Sequence, residues 1–419
     1  MYIKKINETL INLKKIKVKY FFLFMVIFLP KIDLFQIPIN RVHQGPRIED
    51  IILLFFALYL FIPKKKLLLI WSEKFIFKNW LIFFCIIMFF NIIHLFNGKS
   101  LNLLIFLRIF EYAVLIIFLN NFLNKKNIFK IIKAFIIINF IVVLLQTFNL
   151  LGSMSSLGYL PPDHILNQRA YGTLGGSWEL GIVFGILSLA CFRARNQLKN
   201  YLFYMSLCSI IIVLSFGITN LIAYLASITF ILWVSFYKNI KEISLKYIVY
   251  AIIITFVILM TIFYTDLHLF LFSKLENNQF VLRLSKIDFF YLHEVYRDYF
   301  MTGHIPTLNE VKDPNTHYSI ILRLAAWQNS IMEFQATDLA KFIGIGLNEL
   351  YLESIIIRAI TGVGIIGCMF IFFSIMNVPI YFLIFILISG INIDLFISIK
   401  IFIFTFLFFK INQFNKQWK

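Results

Sequence analysis

Apolar runs of roughly twenty residues, the length that crosses the hydrocarbon core of a bilayer, recur along this chain. Between them lie short polar segments, many of them rich in Lys and Arg. The pattern predicts about twelve membrane spans. They fall near residues 19–37, 48–63, 80–96, 101–122, 134–151, 179–193, 201–216, 221–237, 247–265, 354–375, 378–390 and 393–410. The fold class implied is all-α: a polytopic membrane protein with about 12 transmembrane helices and a large external loop containing short amphipathic helices.

Orientation follows from the cations. The segments KKIKVK, KKK at Lys64, NKKNIFKIIK, RARNQLK and KNIKEISLK lie between spans, the pattern of cytoplasmic loops. The segments assigned inside (1–19, 64–79, 124–133, 193–200, 237–246 and 410–419) hold 24 Lys or Arg against 3 Asp or Glu. The stretch 266–345 holds 7 against 9, so it belongs outside with 37–47, 97–100, 152–178 and 217–220. Both termini are then cytoplasmic. Residues 1–265 are a bundle of about nine spans that includes external loop 152–178. Residues 266–353 form the large external loop, and 354–419 hold the last spans and a short tail, all as one integral membrane domain.

Composition agrees with this layout. Hydrophobic residues make up 60% of the chain and charged residues 14%, and mean hydropathy is +0.85, too little polar surface for a soluble domain. The net charge of +18 is accounted for by the cytoplasmic loops and requires no nucleic-acid partner. Cys85, Cys191, Cys208 and Cys368 lie in or beside spans, without metal-site spacing and with no disulfide framework implied. The basic N-terminus and FFLFMVIFL resemble a signal peptide. Pro30, Lys31 and Asp33 interrupt the run and no small-residue cleavage site follows, so a retained first span is expected.

No nucleotide-binding motif is present. GIG (344–346) and GVG (362–364) read as turns or close helix packing. In THYSIILRLAAWQNSIMEF, Arg323, Trp327 and Ser330 recur at helical spacing, with Asn315 or Thr316 as the expected N-cap after Pro314. His293, His304 and His317 scatter through the large loop and read first as solvated surface histidines.

The charged positions at span ends carry the candidate chemistry. Arg169, Arg323 and Arg358 sit in or beside external loops, at headgroup level, and a guanidinium suits phosphate through bidentate, permanently charged contacts. An ordinary salt bridge is the alternative for Arg323. Arg358 lies a turn inside a span, where an idle cation is expensive. Treated as one helix, ELYLESIIIRAITG puts Glu349 and Glu353 on one face and Arg358 roughly 140° round from Glu353, in line with Tyr351 and Ser354. Partners from another helix or from a ligand are then expected, an interhelical network being the alternative. Glu179 reads as an acid at a helix N-terminus or as a site residue. Arg108 with Glu111, and Arg47 with Glu49 and Asp50, read as structural.

Several of these segments together resemble bacterial O-antigen polymerases of the Wzy type, in the superfamily shared with O-antigen ligases. The carriers of the likeness are RIEDIILL, LRIFEY, RAYGTLGGSWELG (169–181), RLAAWQ (323–328) and GIGLNELYLESIIIRAITGVGIIG (344–367). The resemblance implies a metal-independent inverting glycosyltransferase at the periplasmic face of the inner membrane, with no cofactor. Its substrate would be an undecaprenyl-pyrophosphate-linked oligosaccharide, and its partners membrane lipids and a chain-length regulator protein. Arg169, Arg323 and Arg358 would hold pyrophosphate, Trp327 and Tyr351 the sugar, and Glu353 would serve as catalytic base, with Glu349, Glu179 and His317 as weaker candidates. Ligases of the superfamily carry a histidine near the Tyr351–Glu353 stretch, so its absence here favours polymerase. A ligase and a lipid-linked oligosaccharide flippase are the competing readings.

Overall fold

The computed structural model describes residues 24–29, 37–39, 42–44, 48–61, 85, 88–89, 92–93, 96, 110–116, 119, 125–155, 158–160, 170–215, 217–238, 287–307, 309–346, 354–375, 378–391 and 398–416. Over these residues the chain is helical, with two short antiparallel ribbons. Strands β1 (Ile37–Ile39) and β2 (Val42–Gln44) form one, and β3 (Ser153–Ser155) and β4 (Gly158–Leu160) the other. Both ribbons fall in segments expected outside the spans. The helices are α1 (Ile48–Phe61), α2 (Lys125–Thr147), α3 (Ser177–Arg193), α4 (Tyr201–Leu214), α5 (Ile218–Lys238), α6 (Phe289–Thr302), α7 (Pro314–Ala336), α8 (Asp338–Ile343), α9 (Ile355–Ile375), α10 (Ile380–Ser389) and α11 (Ile399–Lys416).

Among the described residues one helix, Lys126–Thr147 within α2, is long and apolar enough to cross a membrane by itself. Shorter apolar helices cover Tyr201–Leu214, Thr219–Val234, Ile356–Met369 and Ile380–Ser389. The basic run 124–133, expected as a connector, largely forms the first turns of α2 instead. Twenty-three residues of helix rise about 35 Å, which exceeds a hydrocarbon core of ~30 Å, so one span can carry its basic end beyond the apolar layer. The segment 247–265, expected as a span, lies outside the described residues.

The described helices group into two compact units. One holds α1–α4 and α11. There α3 packs against α4 and α11, and α2 against α4 and α11. Helix α3 is apolar and buried nearly all round, as such a helix must be inside a bundle, and α11 is buried over most of 399–412 with Lys400, Lys410 and Asn412 among its buried residues. Aromatic rings join them: Phe135 of α2 stacks on Phe184 of α3 at 5.7 Å and meets Phe404 of α11 at 4.5 Å.

The other unit holds α5–α10, with α5 against α10, α6 against α7, and α9 in contact with α7, α8 and α10. Helix α7 bears out the expected amphipathic helix, with a correction at its start. Pro314 occupies the first turn, where its missing N–H costs nothing. The cap is therefore Asp313, in a left-handed conformation and making no side-chain cap bond, instead of Asn315 or Thr316. Helices α6 and α7 run parallel. Asp288, before α6, meets His317 near the start of α7, whereas Tyr299 near the end of α6 bonds to Asn329. The segment 303–313 returns between them, and Leu292, Val311 and Ile321 form their shared core.

Candidate functional site

Helix α9 begins at Ile355, and Ser354 is its boundary residue. The Ser354 carbonyl accepts from Arg358 N at 3.0 Å, while its hydroxyl lies 3.5 Å from Ile357 N and donates to Gly390 O of the α10 terminus at 3.5 Å. The helix thus starts with Ser354 as its cap, in agreement with the span expected over 354–375, and the stretch 347–353 lies outside the described residues. The alignment expected between Arg358 and Tyr351, and the face expected for Glu349 and Glu353, involve residues outside those described. Arg358 itself is 5% exposed on an otherwise apolar helix and is engaged within the fold. A guanidinium removed from water at that depth is costly unless its surroundings are built to receive it.

Helix α7 packs against the same helix α9. Its Arg323 and Trp327 are half-buried, and Gln328 and Ser330 are buried. Arg323, Trp327 and Ser330 share one face by spacing. The unit therefore holds Arg358 on one helix and the Arg323–Trp327 pair on its neighbour. Arg169, Glu349, Tyr351 and Glu353 lie outside the described residues.

His317 is corrected from a solvated histidine to a buried pin, 1% exposed. Its Nε2 accepts from Asp288 N at 3.0 Å and its Nδ1 lies 2.6 Å from Lys312 O, which makes Nδ1 the protonated nitrogen. With both ring nitrogens bound to backbone, His317 has no lone pair to offer a substrate hydroxyl. Around it, Asp288 caps α6 by accepting from Tyr291 N at 3.0 Å and pairs with Lys312 Nζ at 3.0 Å. The Tyr291 amide bond is the largest cause that holds the Asp288 carboxyl below the usual aspartate range, with Lys312 second. His293 and His304 are exposed, and His304 Nε2 lies 3.4 Å from Glu310.

The two glycine motifs meet. Ile345 N donates to Thr361 O at 2.8 Å and Gly346 N to Gly362 O at 3.1 Å. Helix α9 is broken at Gly364 (φ 65°, ψ −171°), and a residue in that conformation does not carry the helical hydrogen-bond ladder across itself. The incoming 345–346 amides serve the carbonyls on the N-terminal side of the break.

In the other unit, Glu179 lies in the first turn of α3. It accepts from Gly175 N at 2.7 Å and from the Ser398 hydroxyl, as the helix N-terminal acid reading expects. Lys400 of α11, 3% exposed, donates to Thr173 O at 2.9 Å and to Leu29 O. From α2, Gln146 accepts from Tyr171 N and Gly172 N at 3.0 and 2.8 Å, and Asn139 accepts from Thr173 N at 2.8 Å. Segment 170–176 is thereby clamped from both sides. Sequence reasoning missed Lys400, Asn139 and Gln146. The signal was available: a cation inside a predicted span, and two amides seven residues apart on one helical face.

Among the described residues no group of three or more His, Cys, Asp or Glu is placed to hold a metal ion. Comparison of the chain with protein-family models, with curated proteins and with solved structures finds no match.

Proposed function

We propose that this chain is a multi-pass polysaccharide polymerase of the Wzy type in the bacterial inner membrane, with about twelve spans and both termini cytoplasmic. It joins undecaprenyl-pyrophosphate-linked repeat units into O-antigen or capsular polysaccharide at the periplasmic face. An acceptor sugar hydroxyl attacks C1 of the donor sugar with inversion. The C1–O bond to pyrophosphate breaks, its electron pair leaves with undecaprenyl pyrophosphate, and the hydroxyl proton passes to a base. Arg358, Arg323 and Arg169 stabilise the charge developing on the leaving group. Trp327 and Tyr351 shape the sugar site, and Glu353 is the base, since His317 has both ring nitrogens committed.

The observation that carries this reading is Arg358, a buried cation on an apolar helix against which the helix bearing Arg323 and Trp327 packs. The test is deletion of the gene in a strain with complete surface polysaccharide. The polymerase reading expects single repeat units on the lipid A core. A ligase instead leaves polymer on its lipid carrier. The break in α9 favours a second reading, a lipid-linked oligosaccharide flippase, because transporters build midplane sites from discontinuous helices. That reading expects unpolymerised units trapped on the cytoplasmic side.

A further inference from the structure

Helix α8 is six residues long, yet it sits deep along α9. The chain that leaves it is bonded at Thr361 and Gly362, six and seven residues past the start of α9 at Ile355. At the α-helical rise this is about 10 Å down the axis of α9. If α9 is a span, as the proposed function has it, α8 therefore lies below the level at which the span begins.

Two further observations agree with that depth. Irregular backbone within the hydrocarbon layer needs internal partners. Here the amides of Ile345 and Gly346 have them in α9. Beside the charged Asp338, α8 leaves two large apolar side chains uncovered, Leu339 55% and Phe342 54% exposed. Because α6 and α7 run parallel, their C-terminal ends lie on the side of the unit that leads into α8. Those ends expose Phe300, Met301, Ile331 and Met332. The exposed Asp338 is paired with Lys341 at 2.9 Å, and the Lys341 stem is long enough to carry its ammonium towards headgroups.

We propose that α8 and the adjoining ends of α6 and α7 are seated in the outer leaflet, with Leu339 and Phe342 against lipid. The occupant of this apolar patch is the bilayer that α9 crosses. Helix α9, which Gly344 meets at Gly362, exposes apolar side chains of its own at Ile360 and Ile365. The opposite end of the unit, with Asp288, Lys312 and the exposed Phe290, stands in water. Phe290 is about 15 Å along α6 from Phe300.

The test uses the unaltered full chain in nanodiscs of phosphatidylethanolamine and phosphatidylglycerol. A phospholipid with a diazirine in its acyl chain is photolysed, and the adducts are mapped by peptide mass spectrometry. Adducts are expected on Leu339–Phe342 and Met332 as strongly as on Ile365, with none on Phe290 or Lys312. Labelling of Ile365 without Leu339–Phe342 overturns this proposal and leaves α9 a span. Equal labelling of Phe290 and Phe342 also overturns it, because exposure alone would then decide contact. Absence of label from Ile365 as well overturns it together with the membrane reading of α9.

Discussion

Gly344 and Gly364 occupy space that no side chain can share. A Cβ on Gly364 would overlap Gly344 N and the Phe342 carbonyl, and one on Gly344 would overlap the Gly362 carbonyl. Both also have positive φ, +81° and +65°. Gly344→Ala or Gly364→Ala therefore combines strain of about 1–3 kcal/mol, in an extended positive-φ conformation confined to glycine, with overpacking of about 1–3 kcal/mol. Gly303 is left-handed helical at φ +70°, with nothing within 4 Å of its would-be Cβ, so Gly303→Ala carries only the milder strain of about 1–2 kcal/mol. Thermal unfolding in detergent is expected to rank both joint variants well below Gly303→Ala. Equal midpoints for all three would contradict the contact.

The His317 pin predicts stability loss without a proton-transfer signature. His317→Phe leaves Asp288 N without its ring acceptor and loses two bonds, for roughly 2 kcal/mol. Activity per folded molecule is expected to keep its pH profile. A lost acidic limb in that profile, where a general base would be protonated, would restore His317 as a base.

The Lys400 clamp predicts a local effect on segment 170–176. Lys400→Met removes the ammonium that the half-buried Thr173 and Leu29 carbonyls share, at about 1–3 kcal/mol. Glu179→Gln retains an acceptor for Gly175 N, so it is expected to be milder than Glu179→Ala. Hydrogen exchange at Gly172–Gly175 reads both, with faster exchange expected in Lys400→Met and Glu179→Ala.

Acid is expected to loosen the start of α6 only at low pH. The folded-state pKa of Asp288 lies below the ordinary 3.8, so its cap contributes above that value and is lost as pH falls through the lower folded value. Glu310 is lowered as well, chiefly by the Thr307 amide. Amide exchange at Tyr291 is thus expected to show no protonation-linked step between pH 5 and 8. Asp288→Ala is expected to raise it throughout that range.

Which features were legible in the sequence follows from the range of the interactions behind them. Helices α4, α5, α7 and α10 were readable because apolar length and spacing are local properties of a segment. The closeness implied by GIG and GVG was readable, but their mutual pairing was not, since it joins backbones across a loop. The polar clamp joins Asn139 to Thr173 and Lys400 to Thr173. Separations of that size leave no periodic trace. The start of α9 at Ile355 agrees with the span expected from residue 354, whereas the capping role of Ser354 emerges only when its carbonyl meets Arg358 N.

The most direct test of the central claim uses the purified full chain in nanodiscs, supplied with undecaprenyl-pyrophosphate-linked repeat units. Polymer length and released undecaprenyl pyrophosphate are measured for the unaltered chain and for Arg358→Ala, Arg323→Ala and Glu353→Gln. The account predicts a ladder of polymer from the unaltered chain and a rate roughly 10²-fold lower for Arg358→Ala at equal folded protein. No polymer from the unaltered chain, or an undiminished ladder from all three variants, would contradict it.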